Sequence, residues 1–277
     1  MTKLIKVCML LLCLNTTYAA AVKSLSSESQ IESYVSVADY KSAVKVGEKS
    51  NKGNSKVALY LGKSYFYLHD YTKAIKYFTI AATKGESLAM LTLGNMYGAG
   101  TGTAVDVDQA IYWYEKAVAK GNIEAMDYLG LIYLQGLSGK PNYEKAFSLF
   151  QMAANKSDAR GLFNLAYMYQ NGLSVNVNEP VAVIYYTKAA NLGDVYAMNN
   201  LGMLYKKGIS NKPDYMQSLN WYTKAASLGD ANAQCNVGIF YFDGVGTEKD
   251  LTRAKTWFTL ASKNGCKEAD IYLAKLP

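Results

Sequence analysis

The sequence predicts an all-α protein, a solenoid of stacked helix–turn–helix repeats of 36 residues. Three observations carry this. Gly94, Gly130, Ala166, Gly202 and Gly238 recur every 36 residues, each after an apolar residue, with Tyr97, Tyr133, Tyr169, Tyr205 and Tyr241 three positions on. A second register begins sixteen residues after each small residue, at Ala110, Ala146, Ala182, Ser218 and Ala254, followed by aromatic or Leu-Phe pairs. Both registers have helical spacing: Ala125, Leu129 and Tyr133 lie at i, i+4 and i+8, and Ala182, Tyr185, Tyr186 and Ala189 at i, i+3, i+4 and i+7. No single pair can bury its face, so the pairs must stack.

The elements follow in chain order. Residues 1–19 read as a secretory signal peptide, with Lys3 and Lys6, an apolar run from Val7 to Leu14, and small residues around Ala19 to Ala21. Cleavage is expected after Ala19, with Ala21 as the other choice. The apolar run is far shorter than the roughly 20 residues of a membrane span. Residues 20–54 read as a flexible, Ser-rich lead-in and a degenerate capping helix. Six repeats follow at about 55–85, 86–121, 122–157, 158–193, 194–229 and 230–265. The first has its inter-helix loop shortened by four residues, since Gly62 and Ala74 are 12 apart. Residues 266–277 read as a capping half-repeat. Asp70, Asp106, Asn142, Asn178, Asp214 and Asp250 stand where they can cap the second helices. Gly85, Gly121, Gly193, Gly229 and Gly265 end those helices at a site that tolerates positive φ. Glu86, Asn122, Asp194 and Asp230 are placed to cap the next first helix.

The composition narrows the function. The 277 residues are 50% hydrophobic and 18% charged, with only four prolines, which excludes a disordered or collagen-like chain. The formal charge of +7 comes almost wholly from Lys; Arg160 and Arg253 are the only arginines, too few for the forks that read phosphate or guanine. Nucleic acid is therefore not expected as a partner. Lys3 and Lys6 leave with the signal peptide, and so do Cys8 and Cys13. Cys235 and Cys266 are then the cysteines left in an oxidising compartment.

The pattern Ala-x-x-x-Leu-Gly-x-x-Tyr-x-x-Gly, then Asp-x-x-x-Ala-x-x-Trp-Tyr-x-x-Ala-Ala-x-x-Gly, resembles the Sel-one-like repeat (SLR) family over residues 55–277. That family is a relative of the tetratricopeptide repeat with a longer, Gly-bearing loop. The resemblance implies a right-handed superhelix that serves as an interaction scaffold. It also implies export, with action at the envelope or toward host cells. Ala166, Leu149-Phe150 and the shortened first loop depart from the pattern. A cysteine-rich branch has been associated with penicillin binding and β-lactamase activity, which makes a β-lactam or cell-wall hydrolase the alternative. That branch pairs cysteines in almost every repeat, unlike this chain. A peptidoglycan or carbohydrate binder is a further alternative, from the supply of Tyr and Asn.

Catalytic constellations are not apparent. His69 stands in a loop without metal-ligand companions. Gly62-Lys63-Ser64 lacks the earlier glycine of a phosphate loop. Ser42 and Lys45 match Ser-x-x-Lys by spacing but lack the motifs that accompany it. No catalytic residue, metal or cofactor is expected. An ideal stack holds Cys235 and Cys266 too far apart for a disulfide unless the last helix is displaced.

Binding is expected on the concave face, which first helices line in such solenoids. The position two before the small residue reads Thr92, Tyr128, Asn164, Asn200 and Asn236. Each Asn offers a donor and an acceptor, so a ladder at repeat spacing can hold an extended peptide backbone. The same residues can instead bond neighbouring helices. In related tetratricopeptide solenoids an Asn ladder at the matching position binds peptide. Tyr167, Met203, Lys206 and Lys207 are expected to be exposed nearby, and the lysines favour a protein or peptide ligand with acidic character.

Overall fold

A computed structural model describes residues 22, 25–50, 53–209 and 211–277. The residues expected as a signal peptide, with Cys8 and Cys13, lie outside the described residues. The helices are α1 (Ser27–Ser36), α2 (Tyr40–Ser50), α3 (Ser55–Tyr67), α4 (Tyr71–Thr83), α5 (Ser87–Ala99), α6 (Val107–Ala119), α7 (Ile123–Gln135) and α8 (Tyr143–Asn155). They continue as α9 (Ala159–Asn171), α10 (Glu179–Asn191), α11 (Val195–Lys207), α12 (Tyr215–Ser227), α13 (Ala231–Asp243), α14 (Leu251–Lys263) and α15 (Glu268–Leu273). Among the described residues there is no strand, only an isolated antiparallel bridge between Ile209 and Lys212. The chain forms two compact units, Met1–Leu129 and Gly130–Pro277.

From α3 to α14 every helix has 13 residues, because each is bounded by the same signals. Asp70, Asp106, Asn142, Asn178, Asp214 and Asp250 each accept the amide three residues on and start the second helices. Asp158, Asp194 and Asp230 start first helices in the same way. Glu86 departs from the expectation. Its carboxylate makes no cap and instead accepts the Ser55 hydroxyl at 2.6 Å, because its longer side chain reaches beyond its own helix.

One backbone bond closes every loop within a pair. The cap amide donates to the carbonyl of the register tyrosine: Asp106 to Tyr97, Asn142 to Tyr133, Asn178 to Tyr169, Asp214 to Tyr205 and Asp250 to Tyr241, at 2.8–2.9 Å. Asp70 donates to Tyr65 at 2.9 Å, so the bond survives the shortened loop. The register glycines answer a close approach. A Cβ at Gly94 would lie 2.5 Å from the Tyr114 ring, and one at Gly202 would lie 2.7 Å from the Tyr222 ring. Ser218 replaces the usual Ala, and its buried hydroxyl donates to the Gly202 carbonyl at 2.7 Å.

In the first unit Leu61, Leu93 and Met96 are fully buried; in the second, Phe150, Leu165, Tyr186 and Phe258 are. Each such side chain contributes about 1.5–3 kcal/mol through burial. The stretch expected as a flexible lead-in contains helix α1. The Ser26 hydroxyl caps it by accepting from the Ser29 amide, and Ile31 is wholly buried. One apolar anchor and one cap suffice where the sequence shows no repeat.

Candidate functional site

First helices present the same positions in each repeat, so burial and bonding at those positions define the candidate site. In the second unit they enclose a groove of about 810 Å³, lined by Leu134, Gln135, Tyr143, Phe163, Asn164, Tyr167, Asn171, Leu173 and Asn200. Three of the expected residues, Asn164, Tyr167 and Asn200, thus meet at one groove. None of its lining residues carries a charge.

The three amides expected as one ladder differ. Asn164 is only 8% exposed, a correction to the expectation of an open position, because its helix packs against the helices on either side of it in the chain. Among the described residues, no hydrogen bond takes up its amide. Asn200 is half-buried and donates to the Tyr186 hydroxyl, which donates in turn to Gln170 Oε1 at 2.8 Å. That chain ties α11 to α10 and α9. Burial raises the Tyr186 phenol well above its ordinary pKa, against the Asn200 bond, so the hydroxyl stays a donor. Asn236 is half-buried in α13 and is not among the groove residues.

Tyr167 is 40% exposed, and its carbonyl accepts the Asn171 side-chain amide at 2.8 Å. The lysines do not enter the groove. Lys207 pairs with Glu179 at 2.8 Å, and Lys206 Nζ sits 5.8 Å from the centre of the Phe240 ring. Tyr128 belongs to the first unit, where it stacks on Tyr114 with ring centres 5.8 Å apart. The expected contribution of these lysines to an acidic ligand therefore has no support from the groove.

Gln135 and Asn171 were not singled out in the sequence, although both stand five residues after the register Gly or Ala. Their signal was present as a fourth position of the inner stripe. Tyr143 and Leu173 come from loop ends, for which the period gives no direction.

In the first unit the corresponding groove is smaller, about 200 Å³, and lined by Leu59, Lys63, Phe66, Tyr67, Phe78, Leu88 and Thr92. Thr92 donates its hydroxyl to the Leu88 carbonyl at 2.8 Å.

The other candidates are placed without a reactive neighbourhood. His69 is exposed, with Nδ1 2.9 Å from the Tyr71 hydroxyl. Ser42 is half-buried in the first turn of α2 and its backbone amide donates to Asp39. Gly62 is a packing glycine, 2.6 Å from the Phe78 ring if given a Cβ. Among the described residues, no group of three His, Cys, Asp or Glu side chains is placed to hold a metal ion. No helix there is long and apolar enough to cross a membrane.

Comparison with known proteins agrees with the geometry. A search of curated proteins gave no match. Among solved structures the chain is similar to c5321, described as a protective antigen present in uropathogenic Escherichia coli strains displaying an SLR fold. It is 31% identical over 82% of this chain and 49% of that one, with a TM-score of 0.76. The chain thus spans about half the length of that protein. It is also similar to a Sel1 repeat protein from Oxalobacter formigenes, 26% identical over 78% of this chain and 86% of that one, with a TM-score of 0.68. A TPR repeat-containing protein from Cytophaga hutchinsonii, 17% identical, covers 87% of this chain and 96% of its own, and at a TM-score of 0.53 shares the fold. The Sel1 repeat model matches residues 53–86, 87–122, 123–158, 159–194, 195–230 and 231–266. With six consecutive matches over most of its length, this chain belongs to the Sel1 repeat family, and it is an α-solenoid scaffold of the kind that binds other proteins.

Proposed function

We propose that this protein is an exported scaffold that captures a partner protein through an extended, uncharged segment seated in the groove of the second unit. The observation that carries this reading is Asn164. Its side chain is nearly covered, yet its amide makes no hydrogen bond among the described residues and is left to the groove. That groove also offers Gln135, Asn200 and the Tyr167 ring. An extended backbone presents alternating N–H and C=O groups, which match such amides whatever the side chains are. The uncharged lining favours a neutral segment over an acidic one.

Export is supported by the signal-peptide pattern of residues 1–21. The likeness to a protective antigen supports a role at the envelope or toward a host. The reading involves no catalysis by this chain.

The test uses a photo-crosslinking residue at Tyr167 and capture from envelope extract. Asn164→Leu is expected to lower capture about tenfold while leaving the melting temperature of the free protein unchanged, since its amide bonds nothing within the fold. Full capture by Asn164→Leu would sink the proposal, and so would a loss of stability matching the loss of capture.

A further inference from the structure

The last half-repeat breaks a local rule that the others keep. Cys266 occupies the register where Asn122, Asp158, Asp194 and Asp230 cap first helices. Helix α15 accordingly starts without a side-chain cap and has only six residues. On its outer side Ile271 is 58% exposed. What holds α15 is the cluster beneath it, where Cys235 and Cys266 are both buried with Ala254, Phe258, Ala261 and Ala269. Tyr272 stacks on Phe258 with ring centres 4.9 Å apart.

The chain is pinned beside each cysteine. Gln234, next to Cys235, donates to the Ala226 carbonyl at 3.1 Å and accepts the Asn264 side-chain amide at 2.9 Å. Asn264 is two residues before Cys266, whose own amide donates to the Ala261 carbonyl at 2.9 Å. Both cysteines are free thiols, buried side by side though distant in sequence. In an ideal continuation of the stack they would stand apart; here the six-residue α15 leaves both in one buried cluster.

We propose that Cys235 and Cys266 are oxidised to a disulfide that fastens the last half-repeat to the final complete helix pair. Two S–H bonds break and one S–S bond forms. The two electrons pass to the disulfide of a thiol oxidant, whose S–S bond breaks to give two thiols that take up the two protons. Cys266 is the more exposed at 8% and attacks the oxidant first. Cys235 then displaces the leaving thiol from the mixed disulfide. Burial pushes the Cys235 thiol up to about 12, so this second step belongs to the moment when α15 docks, before the cluster closes. The bond needs the oxidising compartment that export supplies. It does not depend on what the groove binds.

The experiment refolds the full chain in a mixture of oxidised and reduced glutathione, alkylates free thiols, and maps the digest by mass spectrometry. A Cys235–Cys266 linked peptide is expected. Hydrogen exchange at the amides of α15 should slow about 30-fold relative to the same protein treated with dithiothreitol. Cys235→Ser and Cys266→Ser should each remove both the link and the difference. Comparing oxidised with reduced wild-type chain keeps the test valid if a variant misfolds. Recovery of both cysteines alkylated, or linked to Cys8 or Cys13, would overturn the proposal. A linked peptide with unchanged exchange would overturn the fastening. Because the refolding buffer supplies the oxidant, a failure to bond is separable from a failure of export or of partner capture.

Discussion

In the unit ending at Leu129, the inner groove is walled by Leu59, Phe66, Tyr67 and Leu88, with Thr92 at the position two before the register glycine. In the unit beginning at Gly130, the same registers hold Phe163, Leu134, Gln135, Asn171 and, at that position, Asn164 and Asn200. The helix pairs around the two grooves are built alike, with the same second-helix caps, the same loop-closing bond and the same glycine-to-ring contact. What differs is chemistry on a shared frame. Thr92 satisfies its hydroxyl on its own helix, whereas the Asn164 amide makes no hydrogen bond among the described residues and lines the groove. The two units thus keep the positions that pack helix on helix and differ at those that line the groove.

The comparison can be broken first at the frame. Gly94→Ala and Gly202→Ala push a methyl into the Tyr114 and Tyr222 rings, and each should cost about 2 kcal/mol. Thermal unfolding followed by circular dichroism should show similar losses in both units; a loss in only one would refute the shared frame. A smaller effect sharpens the difference between the grooves. Thr92→Asn should add no partner capture, because the surrounding wall, with Lys63 in it, offers no amide side chain like those of the second groove. Lys207→Ala should leave capture within about twofold at physiological salt, since its ammonium is taken by Glu179 at the surface. A salt-sensitive loss of capture in Lys207→Ala would restore the acidic ligand.

The smallest effect concerns pH. The Lys73 backbone amide, with the Lys73 side chain behind it, holds the Asp70 carboxyl below its ordinary value. Its folded pKa is lower than its unfolded one, so its contribution is complete above the unfolded pKa and is lost as pH falls through the folded one. Burial raises the Asp194 carboxyl, against its bonds from the Ala197 and Tyr196 amides. Its contribution therefore has the opposite sign and favours the fold as pH falls. Asp70→Asn should flatten the acid loss of melting temperature between pH 6 and pH 3, and Asp194→Asn should steepen it. Equal slopes in the two variants would refute the difference in environment.

Much of the fold was legible because its signals are local. Asp106 and Asp214 cap helices through contacts within one turn, and Gly94 and Gly202 recur because an aromatic ring always lies opposite. The site was legible only in part. Asn164, Asn200 and Tyr167 could be named from a register, but that register treats Asn164, Asn200 and Asn236 as equivalent. In the fold one is buried without a partner, one is tied to Tyr186, and one lies away from the groove residues. Helix α1 was missed because its cap and single anchor, Ser26 and Ile31, do not repeat.

The sequence by itself determined the period, the helix pairs, their caps and their faces. Each of these depends on residues a few positions apart along one chain segment, where spacing fixes geometry. Only the tertiary structure decided how far each inner amide is buried, which lysine is already paired, and that Cys235 meets Cys266. Those outcomes depend on the distance between side chains of different repeats. A period specifies the average neighbour, while burial and bonding are set by the particular one.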